Sequence, residues 1–369
     1  MKSDLFKWPL IPVYFHRLFL WAIQRTLYRK QPLGEAMNSC LVFRLKHLGD
    51  FLLILPVVWG IKRQYPGIKF TLVTGTWNRG LAESCKQLFG QIIYYNSNRF
   101  CRRPDERMAI SERFAVWKGL MRQRFDLCLD FDGVNSFLPF YILKKTKYLA
   151  AVEALRFFQN LEDMGLRESP YRYHTHNQYE RDNLAAVLQL WDWEDQSFDF
   201  DVREFFAIPR APANKVPRIG IHPGAGDLKK RFPLEFWAKI ISAFAMNYPE
   251  VRFRLHGPKN EKADLCALVS LGQAEMEIFA DHSIQEFIQL FNQNDLVIGL
   301  DSFAQHVAYL ANIPSIIIYR QDNRNRWALK NQKWHQSVLI DKDITNTQEM
   351  IDRFWQQVPH PFLQRVLCR

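Results

Sequence analysis

The chain has 369 residues, of which 48% are hydrophobic and 24% are charged. This composition excludes a wholly disordered chain and a polytopic membrane protein, and the length favours two domains. The net charge is +11, from 49 Lys and Arg against 38 Asp and Glu, so acidic partners are expected: nucleic acid, anionic lipid or a phosphorylated substrate.

Residues 1–38 form a basic, aromatic extension with six Lys or Arg against two acidic residues. Its apolar run at 10–23 is interrupted by Pro12, His16 and Arg17. The run is also shorter than the roughly 20 residues that cross a bilayer. Aromatic residues beside arginines are typical of a segment lying on anionic lipid. A helix packing against the protein's own body explains the same pattern, and both interpretations stay open.

Strand and helix patterns alternate along residues 39–207, the predicted first domain. Such alternation is typical of a doubly wound parallel sheet. We predict strands at 41–45, 68–73, 92–94 and 127–131, and helices at 50–65, 78–89, 105–122 and 178–190.

Residues 208–216 carry two prolines and little apolar periodicity, which predicts a linker. The alternation restarts in the predicted second domain, 217–346, and a helix is expected within 347–369. A cleft between the two domains is the expected ligand site. The predicted strands lie at 218–222, 251–256, 296–300 and 315–319, and the helices at 234–246, 261–271, 283–291, 303–311 and 348–358.

The first candidate site follows the first predicted strand. A tight turn at Gly49 places Asp50 at the start of the next helix, at the sheet edge where α/β proteins bind ligands. There Asp50 acts either as a helix cap or as a general base facing the cleft.

The second candidate site is the sequence HPGAG at 222–226, followed by Lys229, Lys230 and Arg231. Glycine-rich turns let backbone amides approach an anion, and lysine supplies a charge for phosphate. A solvated basic loop is the alternative, because the pattern is neither a Walker loop nor a dinucleotide fingerprint.

The third candidate site begins where another strand ends, at Asp301 and Ser302. His306 follows one helical turn after Ser302, so both side chains project from one helix face. A diphosphate at this helix start could take amide, hydroxyl and imidazole contacts together. The alternative is that Asp301 caps the helix and His306 is a core residue.

Two further features bear on partners and compartment. Residues 99–124 hold eight Lys or Arg against three acidic residues, which is either a solvated face or a surface for an anionic acceptor. The six cysteines are single and scattered, without a CxxC pair, as expected in a reducing cytosol. No zinc-binding, hydrolase or nucleic-acid-binding motif is recognised.

Together, these motifs resemble those of family 9 glycosyltransferases, the ADP-heptose:lipopolysaccharide heptosyltransferases, over about residues 40–345. The resemblance rests on four blocks in order along the chain. They are GD-x5-P (Gly49, Asp50, Pro56), FDLCLDFD at 125–132, HPGA followed by K-x-F-P at 222–233, and DS-x3-H at 301–306.

The resemblance implies an α/β fold of the GT-B type, with two Rossmann-like doubly wound domains facing across a cleft and a C-terminal helix crossing back to the first. It implies an inverting, metal-independent sugar transfer in which Asp50 is the catalytic base. Acceptor-side candidates are Gly49 and Asp132. The implied donor-binding residues are Gly224, Ala225, Lys230, Glu261, Asp301, Ser302 and His306.

The partners implied are a nucleotide-sugar donor, ADP-heptose, used as substrate, and an anionic lipid-linked glycan acceptor. No cofactor, metal or nucleic acid is expected. The expected location is the cytoplasmic face of a Gram-negative inner membrane, with residues 1–38 as a membrane contact.

Two departures from the family pattern fall on the donor side. Phe303 stands where a glycine is common, and Tyr319-Arg-Gln-Asp322 replaces Phe-Gly-Pro-Thr. A bulky Phe303 is expected to narrow the donor pocket. Two alternatives follow from these departures: a catalytically idle nucleotide- or glycan-binding protein, and a transferase using another nucleotide sugar. A basic nucleic-acid-binding protein, which would explain the charge alone, is the least favoured alternative.

Overall fold

The computed structural model describes residues 37–98, 100–132, 180, 184, 200–208, 216–272, 274–328 and 333–368, and the backbone of 146–151. These residues divide into two units, each built on one parallel sheet. The second unit also includes two short segments from the N-terminal half, Leu48–Leu53 and Gly80–Ser84. The predicted α/β class is confirmed.

The first unit carries a five-stranded sheet of order β3-β2-β1-β4-β5, with all neighbouring strands parallel. This is a Rossmann-type order, in which the topological switch lies between β1 and β4. The strands are β1 (Ser39–Arg44), β2 (Lys69–Thr74), β3 (Phe89–Tyr94), β4 (Phe125–Asp130) and β5 (Thr146–Ala151). The helices of this part of the chain are α1 (Leu48–Leu52), α2 (Leu55–Gln64), α3 (Arg79–Ser84), α4 (Ile110–Met121) and α5 (Val202–Phe205).

The second unit repeats this order with one more strand, as β11-β10-β9-β6-β7-β8, again all parallel. Its switch point lies between β6 and β9. The strands are β6 (Arg218–His222), β7 (Arg252–Gly257), β8 (Met276–Ala280), β9 (Leu296–Leu300), β10 (Ser315–Tyr319) and β11 (His335–Leu339). The helices are α6 (Leu234–Asn247), α7 (Lys262–Leu271), α8 (Ile284–Phe291), α9 (Phe303–Leu310), α10 (Arg324–Trp327), α11 (Thr347–Gln357) and α12 (His360–Leu367).

Helix α6 anchors the core of the second unit. It begins after Pro233, and its apolar residues recur at helical spacing, so that Phe236, Trp237, Ile240 and Phe244 are fully buried. Each such side chain stabilises the fold by about 1.5–3 kcal/mol.

Helices α11 and α12 pack into this same core through Phe354, Phe362 and Val366. The resemblance implied one C-terminal helix that returns to the first domain, and that return stays a prediction. The structure has two helices there, and their buried side chains lie in the core of the second unit.

Three predicted helices differ in their bounds. The helix expected at 50–65 is two helices, α1 and α2, because Pro56 has no N–H to continue the first and instead favours the first turn of a new one. The helix expected at 105–122 starts only at Ile110. Helix α3 ends at Ser84, since Phe89 already belongs to β3.

Three strands were not predicted: β5, β8 and β11, each at the edge of a sheet. An edge strand pairs on one side only and tolerates polar residues, as in the sequences TKYLAA and HQSVL. The apolar pattern that reveals central strands is therefore weak in all three.

Several predictions fall outside the described residues. These are the predictions for residues 1–36, for most of the helix at 178–190 and for most of the linker at 208–216. Within the predicted helix at 178–190, the structure describes Glu180 and Leu184, and both are helical and buried. In the part of the chain that the structure describes, no helix is both long and apolar enough to span a bilayer.

Candidate active site

The loop after β6 carries the HPGA sequence at 222–225. Position 224 requires glycine, because a Cβ there would overlap the carboxylate of Glu261. Glycine is thus required by close approach of the loop to an acidic residue, not by an unusual backbone angle. Two predicted donor-binding residues, 37 positions apart, are brought together.

Arg231 connects this loop to Glu261. Its guanidinium pairs with Glu261 Oε1, and its Nε donates to the carbonyl oxygen of Ala225 at 2.9 Å. By sequence, Arg231 stood out only as part of a basic run. Its position next to Lys230 in the K-x-F-P block was the available signal.

Glu261 keeps one oxygen available. The residue is 6% exposed, and its Oε2 has no hydrogen-bond partner among the described residues. Burial raises the pKa of this carboxyl, while the Arg231 guanidinium opposes the rise. A buried unpaired acceptor is costly, so a ligand hydroxyl donating to Oε2 would stabilise the site.

An open pocket of about 240 Å³ borders this cluster. It includes Gly224 and Glu261 of the predicted set, whereas Lys230 and Asp301 do not line it. The lining residues are Pro223, Gly224, Arg231, Phe232, Pro233, Leu234, Glu261, Asp264 and Leu265.

Lys230 and Asp301 form the contact that joins two of the predicted blocks. Lys230 Nζ lies 2.6 Å from Asp301 Oδ2 and 3.2 Å from the Asp301 carbonyl oxygen. Asn323 Nδ2 donates to the same Oδ2 at 3.3 Å. Because Asp301 follows β9 and Lys230 belongs to the loop after β6, the pair lies at the switch point of the second sheet.

Asn323 was not predicted as a site residue. It follows directly after the segment Tyr319–Asp322 that departs from the family pattern, and that neighbouring departure was the only signal. Its contact with Asp301 helps to hold the Lys230–Asp301 pair.

Helix α9 begins at Phe303, two residues after Asp301. Ser302 is its N-cap, but its Oγ is buried and makes no hydrogen bond within the described part of the chain. His306 is 4% exposed, and its ring centroid lies 5.8 Å from that of Trp327. The backbone N–H groups in the first turn of α9 and the Ser302 hydroxyl together form a polar site suited to an anion.

The second unit also brings Gly49 and Asp50 to this helix. A Cβ added at Gly49 would lie 3.0 Å from Cδ2 of His306, so only glycine fits easily there. Asp50, the next residue, is half-buried in α1. The structure therefore places the predicted base on a short helix that packs against α9, within the same unit as the donor residues.

Phe303, in the first turn of α9, packs among other aromatic side chains. It is half-buried, and its ring centroid lies 5.8 Å from that of Phe287, which in turn lies 5.9 Å from the ring of His222. The side chain is thus held in an aromatic cluster. The narrowing of the donor pocket by Phe303 stays a prediction.

Asp132, the second acceptor-side candidate, lies in the first unit and is 2% exposed. Its carboxylate accepts from Arg44 Nη1 at 3.3 Å and from the backbone N–H of Leu45, and Arg44 is itself fully buried. The pair ties the end of β1 to the end of β4. These contacts support a structural role, and a contact with the acceptor stays a prediction.

We expect Asp132→Ala to lower the free energy of unfolding by about 3–5 kcal/mol, because Arg44 would stay buried without its carboxylate. Urea denaturation measures this. Asp105→Ala, which removes a carboxylate exposed on the same unit, should change stability by less than about 0.5 kcal/mol. An Asp132→Ala protein as stable as the parent would contradict the structural role.

His222 introduces a pH dependence of stability. Burial, assisted by the Arg231 charge, lowers the pKa of His222 to about 4. Below about pH 6.5, His222 is therefore protonated in the unfolded chain but stays neutral in the folded protein. The free energy of unfolding should therefore decrease as the pH is lowered. His222 alone should account for a loss of about 2 kcal/mol between pH 7 and pH 5.

Urea denaturation of His222→Asn at both pH values tests this, since the variant should lose less stability on acidification than the parent. His360→Asn, at an exposed histidine, is the matched control and should keep the full loss. Equal losses in all three proteins would refute the assignment.

Within the described ranges, no group of three or more His, Cys, Asp or Glu side chains is arranged to hold a metal ion.

Two parallel sheets of Rossmann order, with a basic and acidic cluster at the switch point of the second, define a Rossmann-type α/β protein. The model of "Glycosyltransferase family 9 (heptosyltransferase)" matches residues 113–355. The chain belongs to this family, as its motifs predicted.

Lipopolysaccharide heptosyltransferase 1 of Campylobacter coli is 31% identical over 161 residues, 42% of this chain and 46% of that protein. The match thus spans less than half the length of this curated relative.

Solved structures extend the likeness. The E. coli heptosyltransferase WaaC with ADP has a TM-score of 0.61 at 15% identity, covering 87% of this chain and 100% of its own. E. coli ADP-heptose lps heptosyltransferase II has a TM-score of 0.58 at 16% identity, covering 89% and 98%. Their folds confirm the GT-B class predicted for this chain.

Proposed function

We propose that this chain is an inverting, metal-independent glycosyltransferase. It moves heptose or a related sugar from an ADP-sugar to a lipopolysaccharide core or a similar lipid-linked glycan, at the cytoplasmic face of a Gram-negative inner membrane. Family membership supports the reaction class. The relative named a lipopolysaccharide heptosyltransferase supports the acceptor, and the structure solved with ADP supports the nucleotide.

The observation that carries the proposal is the contact of Lys230 with Asp301 at 2.6 Å. It holds a cation beside the start of α9, where Ser302 Oγ has no partner among the described residues. A diphosphate bound there would receive the Lys230 charge, helix amides and a hydroxyl. Such preorganised donors favour the departure of a diphosphate as negative charge develops on it.

In the proposed reaction, Asp50 accepts the proton of the acceptor hydroxyl as its oxygen bonds to the anomeric carbon of the donor sugar. The bond from that carbon to the diphosphate oxygen breaks, and its electron pair leaves with the diphosphate. Attack from the side opposite to the leaving group inverts the anomeric centre. Lys230, the start of α9 and His306 meet the leaving charge, so no divalent cation is required.

Glu261 has a separate task in this scheme. Its buried, unpartnered Oε2 borders the pocket beside Gly224 and is suited to accept from a hydroxyl of the nucleoside. Arg231 holds the other carboxylate oxygen and the loop carbonyl of Ala225, which keeps the acceptor atom in place.

A transferase that uses a different nucleotide sugar is the second candidate. The favouring observation is the donor-side segment after β10, where Arg320 lies over the Phe232 ring at 4.6 Å and donates to the carbonyl oxygen of Lys342 at 3.1 Å. Phe232 lines the pocket, so this segment differs from the family pattern at a place that contacts the pocket wall.

Thermal-shift binding of ADP, GDP, UDP and CMP, with and without magnesium, tests both candidates. A shift selective for ADP that does not need magnesium is expected. A selective shift with another diphosphate would replace ADP by that nucleotide and keep the transferase. No shift with any nucleotide would contradict the proposal and favour a donor site blocked at Phe303.

A further inference from the structure

Helix α4 of the first unit exposes two large apolar side chains side by side. Ile110 is 70% exposed and Phe114 is 68% exposed, and their four-residue spacing puts them on the same side of the helix. Among the described residues of the first unit, no other large hydrophobic side chain is comparably exposed. Single exposed apolar residues are ordinary, but an adjacent pair indicates an interaction surface.

The C-terminal half of α4 makes the contacts that hold this helix on its unit. Leu120 is buried, and Trp117 stacks on Phe43 at 6.2 Å and meets Tyr95 edge-on at 5.9 Å. Ile110 and Phe114 are therefore not needed to hold the helix in place. They can be replaced without removing a core contact.

Positive charge surrounds the apolar pair. Lys118 follows Phe114 by one turn, Arg107 precedes Ile110, and both are exposed. Over residues 102–124 there are seven Lys or Arg and three acidic residues, a net of +4.

Two of the three acidic residues are occupied locally. Glu106 pairs with Arg103 at 3.4 Å, and Glu112 accepts from the backbone N–H of Ala109 at 2.7 Å. This surface therefore exposes both apolar and positively charged side chains to solvent.

We propose that the α4 surface, made of Arg107, Ile110, Phe114 and Lys118, docks on an anionic lipid bilayer. The two apolar side chains would enter the boundary between headgroups and acyl chains, while the cations meet lipid phosphates. A soluble anion would use the cations alone and leave Ile110 and Phe114 in water. A symmetric contact with a second copy of this chain would set two +4 patches against each other.

Docking of the α4 surface on a bilayer goes beyond the proposed function. The docking proposal rests on the proposed function only because a lipid-linked acceptor would lie in a membrane. It is also distinct from a membrane contact through residues 1–38. Vesicle binding needs neither donor nor acceptor, so its outcome is independent of sugar transfer.

Co-sedimentation of the full chain with phosphatidylcholine vesicles, with and without phosphatidylglycerol, tests the proposal. The parent protein should bind the anionic vesicles. Ile110→Ser/Phe114→Ser should weaken that binding about tenfold or more, because both apolar side chains leave the bilayer. Met246→Ser is the matched control, since Met246 is 84% exposed in the second unit, and it should bind as the parent does.

A second variant addresses the charge. Arg107→Glu/Lys118→Glu changes only exposed positions, so it should fold as the parent does even if the apolar variant does not. It should weaken binding to anionic vesicles at least tenfold, and added salt should shrink its difference from the parent.

Four results would overturn the proposal. They are no binding of the parent to anionic vesicles, equal binding to neutral vesicles, binding by both double variants within twofold of the parent, and a change from dimer to monomer in the apolar variant with vesicle binding intact. If the parent binds vesicles as expected but transfers no sugar, the proposed function fails and the docking surface stands.

Discussion

Asp50→Asn should abolish sugar transfer while nucleotide binding stays within about twofold of the parent. The amide keeps the shape of the carboxylate but cannot accept the proton of the acceptor hydroxyl, and a general base contributes about 10²–10⁴ in rate. Steady-state transfer and nucleotide titration, measured on the same preparation, separate the two effects.

Asp343→Asn is the matched control, because it makes the same chemical change at an exposed position of the second unit. It should leave both measurements unchanged. Full transfer by Asp50→Asn would refute the role of Asp50 as base. A large loss of nucleotide affinity in that variant would instead assign Asp50 to donor binding.

Lys230→Ala should weaken nucleoside diphosphate binding roughly 10- to 100-fold, the range for loss of one charge-assisted contact. It should also lower kcat by about 10²–10³, because the charge that forms on the leaving diphosphate loses its cation. Asp301, 7% exposed, would keep Asn323 as a partner. Nucleotide titration and single-turnover transfer measure the two effects separately.

The neighbouring residue provides the control. Lys229 is exposed and carries the same charge one residue away, so Lys229→Ala should retain parental affinity and rate. Lys230→Arg should recover part of both. Equal effects of the two alanine variants would show that general positive charge, not the contact with Asp301, explains the binding.

Most of the second unit was predictable from short-range patterns. Strands β6, β9 and β10 have the predicted bounds, and every residue of these strands apart from Arg218 is buried. Central strands of a parallel sheet are covered on both faces, so they appear in a sequence as uninterrupted apolar runs. The edge strands β8 and β11 lack that signal.

The candidate site was predictable in its residues but not in its contacts. Motif spacing placed Lys230 and Asp301 in the site, yet their pairing spans 71 positions in the chain and depends on β6 and β9 being neighbours. The contacts of Arg231 with Glu261 and of Asn323 with Asp301 were not predicted at all. Each joins segments whose approach is set by the order of strands in the sheet.

Asp132 illustrates the same difference. By sequence it stood beside Asp50 as an acidic residue after a strand. The structure gives it a fully buried arginine as partner, because the ends of β1 and β4 lie next to each other. Burial and a buried arginine partner support a structural role for Asp132, and its contact with an acceptor stays a prediction.

The sequence by itself determined the α/β class, the family, the central strands and the positions that carry the candidate chemistry, because helical and strand periodicity and motif spacing are properties of consecutive residues. The tertiary structure decided which of those residues meet: Lys230 with Asp301, Gly224 with Glu261, and Gly49 with His306. It also decided which apolar residues of α4 stay exposed. These contacts depend on strand order and burial, which arise only when distant segments pack together.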